Sequence, residues 1–179
     1  LLDTESAFRP LDSIRSETIS HYKTADYSFI TPLLLGAKLA GASDEIIAAL
    51  TRYGEYVGIG FQMVDDLLGV FGDETVTGKS SSNDIAEAKH TYIIERFYAA
   101  ASDDQREQFD TLFGKRDITR DEIVVVRGLL ESTGARDRAE QLAREYQQKA
   151  LDALSIDAFD DNMRALFTSI AERAINRQK

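Results

Sequence analysis

The chain has 179 residues, of which 43% are hydrophobic and 29% charged, with a formal net charge of −10 and no cysteine. That is an ordinary globular balance, long enough for one domain with a real core. The negative charge argues against nucleic acid or an anionic membrane surface as the main partner, and the missing cysteines exclude disulfides, thiolate nucleophiles and Cys-ligated zinc.

No apolar stretch approaches the roughly 20 residues needed to span a bilayer. The most apolar region, residues 30 to 42, is broken by Lys38 and two glycines. No secretory signal is visible, and a cytoplasmic location fits. The chain opens on Leu1-Leu2-Asp3 without an initiator Met, as a piece of a longer protein would.

Both prolines lie before residue 33. Strand-like alternation is scarce and a 3.6-residue period is common, which predicts an all-α chain. A first amphipathic helix is expected over residues 11 to 22, with Lys23-Thr24-Ala25 at its end. A second runs from 27 to 40, and Pro32 either kinks it or marks its start. Gly41 ends it, and Ser43 is the N-cap expected for the next helix.

That next helix is long, about 28 residues from 44 to 71, or roughly 42 Å. Ile46, Leu50, Tyr53, Val57, Phe61, Val64, Leu68 and Phe71 step along it as one apolar stripe. Gly54, Gly58 and Gly60 each cost it up to about 1 kcal/mol against Ala, tolerable where another helix or a ligand must come close. Residues 72 to 84 read as a long polar loop. A helix over 85 to 101 is expected to carry Lys89 and Thr91. Capping boxes at Ser102/Gln105 and Thr119/Glu122 start a short helix to about 113 and one over 120 to 133. Gly134 stops the latter, and helices over 136 to 154 and 158 to 177 finish the chain. His21 and His90 read as surface or capping residues.

The chemistry concentrates around Asp65-Asp66, two adjacent acids inside an apolar helical pattern. Carboxylates are rarely buried unless paired or bound to a cation. Gln62, Asp65 and Asp66 are spaced i, i+3, i+4 and share one face. Such a pair can hold Mg2+, which takes one or two carboxylates, several waters and phosphate oxygens. Lys23, Lys79 and Lys89 flank the pair in sequence, and acids for a metal with lysines for phosphates suggest a diphosphate site. Taken alone, the pair also reads as a solvated helix face, and Gly78-Lys79 as a flexible turn.

Read in order, these pieces resemble the C-terminal half of a trans-type isoprenyl diphosphate synthase, or polyprenyl synthetase, of the bacterial geranylgeranyl or polyprenyl type. Lys23-Thr24-Ala25 is similar to the family's Lys-Thr element. Phe61-Gln62-Met63-Val64-Asp65-Asp66 resembles the start of its second aspartate-rich motif, and Gly78-Lys79, Asp84 and Lys89-x-Thr91 resemble the loop that follows. The resemblance implies an all-α isoprenoid synthase bundle. Residues 1 to 179 would be the C-terminal portion of a single domain whose N-terminal part is absent from this chain.

It further implies a Mg2+-dependent prenyltransferase of isoprenoid biosynthesis that joins an allylic diphosphate to isopentenyl diphosphate, a homodimer when full-length. Asp65 and Asp66 would ligate Mg2+, and Lys23, Lys79 and Lys89 would contact the diphosphate. Thr24 and Gln62 would lie along the site near the reacting carbon, with Phe61 adjoining the metal face. Asp84 would support the metal-binding loop. Gly69 stands where the family's third acid usually does, as in the branch reading Asp-Asp-Leu-Leu-Gly-Val-Phe-Gly-Asp, and Asp73 is the further candidate ligand. The first aspartate-rich motif, the arginine pair for isopentenyl diphosphate and the residues that set product length precede this segment in the family, so this chain alone is expected to be inactive.

Three other readings compete. A noncatalytic or regulatory subunit of a heteromeric synthase would have no chemical need for Lys23, Asp65, Asp66, Lys79 and Lys89. A terpene cyclase would carry a second metal motif of Asn, Ser or Thr and Glu type, which is not found. A generic helical scaffold is the residual option.

Overall fold

A computed structural model describes residues 16–72 and 83–176. The described residues form helices and connections, with no strand among them. In chain order these are α1 (Ser16–Ser20), a π-helix (His21–Ile30), α2 (Thr31–Leu39), α3 (Asp44–Phe71), α4 (Asn83–Ala86), α5 (Tyr92–Ala100), α6 (Asp103–Asp110), α7 (Arg120–Ser132), α8 (Ala135–Ala153) and α9 (Asp161–Ile175). The all-α expectation holds.

Several boundaries were legible. α3 spans the expected 28 residues. Ser43 caps it, its hydroxyl accepting from the Ile46 amide at 3.4 Å. Gly41 and Gly134 stand at φ +71° in the turns after α2 and α7, a conformation glycine adopts without steric cost. Both capping boxes form, Ser102 with Gln105 and Thr119 with Glu122.

Two expectations are corrected. The helix expected to end before Lys23 does not end there: the chain stays helical from Ser16 to Leu39, passing through ten residues of π-helix. Pro32 lies in the first turn of α2, and because the π-helix runs directly into that turn, its missing N–H withholds a helical donor from the preceding turn. The helix expected over 85 to 101 is two pieces. α4 ends at Ala86, Ala88 takes φ +51°, and α5 begins at Tyr92, so Lys89 and Thr91 stand in the break between them.

The described residues pack as two compact units, one of residues 16–19 and 65–141, the other of 20–64 and 142–176. The core of the first is built on Val70, Ile85, Ile93, Phe97, Phe109 and Val126. Phe97 and Phe109 lie 4.3 Å apart between ring centres, and Phe113 continues the contact at 4.8 Å. The core of the second gathers Leu50, Tyr53, Val57, Leu154, Phe159 and Ala171. The buried Tyr53 hydroxyl donates to the Phe167 carbonyl at 2.6 Å, so its polar tip is satisfied.

The α7 capping box carries a pH dependence. Lys115 donates to the Glu122 carboxylate at 2.7 Å, and the Thr119 amide and hydroxyl donate to it at 2.8 and 3.0 Å. The lysine first, then the two threonine donors, stabilise the charged form and hold the carboxyl down to about 2 from its ordinary 4.5. A depressed carboxylate stabilises the fold above its unfolded value and loses that stabilisation as pH falls toward the folded value. Glu122→Gln is therefore expected to melt below the wild-type chain at neutral pH, with the gap closing as pH falls from about 4.5 toward 2. Thermal melts of both proteins across that range check it.

Candidate active site

The unit of residues 20–64 and 142–176 holds four of the residues singled out in the sequence. Lys23 and Thr24 are neighbours on the π-helix, Lys23 exposed and Thr24 buried. The widened helical turn is set by i→i+5 bonding, seen at its end where the Thr31 amide donates to the Asp26 carbonyl. Its buried side meets α3 at Gly58. A Cβ placed on Gly58 would stand 2.6 Å from the Ala25 Cβ and 3.1 Å from its amide nitrogen. Only a residue without a side chain lets the two backbones approach so closely. The expectation that the α3 glycines mark a close contact holds here.

That approach seats Thr24 against Gln62. The Thr24 hydroxyl donates to Gln62 Oε1 at 2.5 Å, and both residues are buried, at 6% and 7% exposure. A polar pair this deep stabilises only while both partners are satisfied. Phe61, next along α3, is half-buried with its ring centre 5.6 Å from that of Phe29.

The unit of residues 16–19 and 65–141 holds the acids. Asp65 and Asp66 follow Gln62 within one turn of α3 and are both half-buried. Among the described residues no three His, Cys, Asp or Glu side chains converge as a metal site. The described donor set is thus two adjacent carboxylates on a rigid helix. That set fits Mg2+, which takes one or two carboxylates and completes its shell with water and phosphate oxygens.

Asp84 and Lys89 form a second cluster in this unit. The Lys89 ammonium donates to Asp84 Oδ1 and lies 3.5 Å from Glu87 Oε2. Burial lowers the lysine's pKa, but the hydrogen bond and charge of Asp84, joined by Glu87, outweigh it and hold the ammonium above the ordinary lysine range. Asp73, Gly78 and Lys79 lie outside the described residues.

Two features escaped the sequence reading. His90 is buried at 7% exposure rather than at the surface, with Nε2 3.7 Å from Glu95 Oε1. The same carboxylate oxygen accepts the Ser16 amide at 2.6 Å, so Glu95 ties the start of α1 to the segment carrying Lys89. No periodic signal marks an isolated His as buried. The second is an apolar cavity of about 580 Å³ lined by Pro32, Leu33, Ile46, Leu50, Met163 and Phe167. It gathers residues more than 100 positions apart, which local pattern does not join.

A family model described as Polyprenyl synthetase matches residues 3–129. The chain belongs to the polyprenyl synthetase family. The geranylfarnesyl diphosphate synthase of Aeropyrum pernix is 35% identical over 146 residues, covering 81% of this chain and 45% of that protein. The geranylgeranyl diphosphate synthase of Methanosarcina mazei is 34% identical over 144 residues, covering 80% of this chain and 42% of its own. Among solved structures, the geranylgeranyl pyrophosphate synthase of Corynebacterium glutamicum, complexed with isoprenyl diphosphate and magnesium, superposes with a TM-score of 0.87 at 33% identity over 99% of this chain and 50% of that one. The chain thus spans about half the length of the polyprenyl synthetases it matches. The fold of the family is the all-α fold seen here.

Proposed function

We propose that the intact protein is a trans-prenyltransferase that condenses an allylic diphosphate with isopentenyl diphosphate, and that this chain supplies the second aspartate-rich half of its site. The observation that carries this is the run Phe61-Gln62-x-x-Asp65-Asp66 followed by Asp84 and Lys89-x-Thr91, inside a chain of this family. The magnesium and isoprenyl diphosphate named with the Corynebacterium relative support the same ligand classes here. We assign residues 1–179 to the C-terminal portion of a single isoprenoid synthase domain, working as a homodimer in the cytoplasm. Among the described residues no helix is long and apolar enough to cross a membrane.

Each residue has a role by its chemistry. Asp65 and Asp66 hold Mg2+, with Asp73 as the further candidate. The ion, when bound, supplies Lewis-acid stabilisation of charge on the diphosphate. Lys23, Lys79 and Lys89 bring ammonium groups to the diphosphate oxygens, fixing the leaving group and offsetting its charge as it departs. The allylic C–O bond breaks with the electron pair leaving on the diphosphate. The double bond of isopentenyl diphosphate then forms the new C–C bond, and a proton is lost. The buried Thr24–Gln62 pair orients the wall near the reacting carbon, and the Phe61 ring shields it from water.

The test is product formation by the intact gene product, given an allylic diphosphate and isopentenyl diphosphate with and without Mg2+. A longer prenyl diphosphate released with inorganic diphosphate, only in the presence of Mg2+, is the expected result. A folded protein that elongates nothing contradicts the proposal.

A further inference from the structure

We infer that Gly69 is the seat of Asp84, and that the two together position Lys89. Gly69 follows Asp65 by four residues and Asp66 by three on α3, so it shares their helical face. A Cβ built on Gly69 would collide with the Asp84 carboxylate, whose Cγ would lie 2.8 Å away. The volume a side chain at position 69 would need is already taken by a carboxylate from α4.

Asp84 in turn holds Lys89 twice. Its carboxylate accepts from the Lys89 ammonium, and its carbonyl accepts the Lys89 amide at 3.1 Å. The turn that makes this possible includes Ala88 at φ +51°, uncommon for a residue with a side chain. α4 is anchored from the other side, where the Gly114 amide donates to the Ile85 carbonyl at 2.9 Å. The Asp84 side chain is only 14% exposed, against 31% for Lys89. The acid is thus the fixed member and the lysine the one that reaches toward solvent.

The magnitudes favour a positioning role over a stabilising one. A glycine inside a helix costs about 1 kcal/mol against alanine, and a part-exposed ion pair returns at most about that much. Stability alone gives no reason to keep the arrangement. What it secures is the placement of one ammonium beside an acidic helix face. An aspartate at position 69 would displace Asp84 rather than complete an acidic triad. The value of this placement for ligand binding rests on the proposed contact of Lys89 with the diphosphate.

The test uses Gly69→Ala, Gly69→Asp, Asp84→Ala and the double variant Gly69→Ala/Asp84→Ala, each compared with wild type. In the 15N-lysine-labelled full chain, the Lys89 ammonium (assigned with Lys89→Arg) should give a slowly exchanging signal in wild type. That signal should be lost in Gly69→Ala, Gly69→Asp and Asp84→Ala. The double variant should melt no lower than Gly69→Ala, because removing the Asp84 side chain relieves the clash. For the intact protein with Mg2+, Gly69→Ala should weaken binding of inorganic diphosphate about tenfold or more. A retained Lys89 signal in Gly69→Ala, or melting losses that simply add, overturns the seat. If the signal behaves as expected but Lys89→Ala leaves diphosphate affinity unchanged, the seat stands and the ligand role of Lys89 is overturned.

Discussion

Asp65→Ala is expected to lower kcat/KM of the intact protein for the proposed allylic substrate by roughly 10³-fold, about 4 kcal/mol of transition-state stabilisation. Asp66→Ala should fall in the same range. The loss should appear mainly in kcat, because a Mg2+ held by these acids would stabilise the charge that grows on the leaving diphosphate as the C–O bond breaks. Stability should move little. Both acids are half-buried in the last turns of α3, and alanine is the best helix former. Steady-state kinetics at saturating Mg2+, with a melt of each variant, check the expectation. A variant that keeps its turnover removes the metal role from these acids.

The second large effect is expected at Gly58, far from any charge. A Cβ there would collide first with the Ala25 backbone Cα, and would stand 2.6 Å from its Cβ and 3.1 Å from its amide nitrogen. Overpacking of that kind costs about 1–3 kcal/mol, and where the obstacle is backbone the upper end applies. Gly58→Ala gains up to about 1 kcal/mol from helix propensity, which leaves a net loss of about 2 kcal/mol. For a chain of this size that is a fall in Tm of about 4–8 °C. Gly128→Ala in α7 is the matched control, since nothing lies within 4 Å of the added carbon; it should gain stability instead. Ala25→Gly in the Gly58→Ala background should recover only the smaller part of the loss, because it removes the Ala25 Cβ and leaves the nearer backbone Cα in place. Because the displaced segment carries Lys23 and Thr24, Gly58→Ala should also weaken diphosphate binding by the intact protein, an effect that a loss of stability alone would not produce.

These two positions show what the sequence could and could not reveal. Helix existence and most helix ends were legible, because capping boxes, a left-handed glycine turn and a long apolar stripe are local signals. α3 ends where its pattern ends. The π-helix was not legible: Lys23-Thr24-Ala25 carries no local mark of i→i+5 bonding, and its setting depends on Gly58, 33 residues later. The break between α4 and α5 was missed for a related reason. Ala88 is a good helix former by propensity, and the turn is held by contacts that include the Asp84–Lys89 pair and the Ile85–Gly114 bond.

The residues of the candidate site are legible as types in an order, which marks out the acids, the lysines, Thr24 and Gln62, though not that the last two pair. Their placement was less so. Gly69 read as a missing acid, whereas in the structure it is the space that Asp84 occupies. His90 reads as a surface or capping residue and is buried beside Glu95. Both depend on what a distant segment brings to a helix, and neither leaves a trace in periodicity.

In the proposed function, Asp65 and Asp66 bind diphosphate through Mg2+. Calorimetric titration of inorganic diphosphate into the intact protein, with and without Mg2+, tests it most directly when repeated on Asp65→Ala/Asp66→Ala. Binding that requires Mg2+ in the wild-type protein, and that weakens at least 100-fold in the double variant, about 2.7 kcal/mol, is the result expected. Binding that needs no Mg2+, or that survives loss of both carboxylates, would contradict the account.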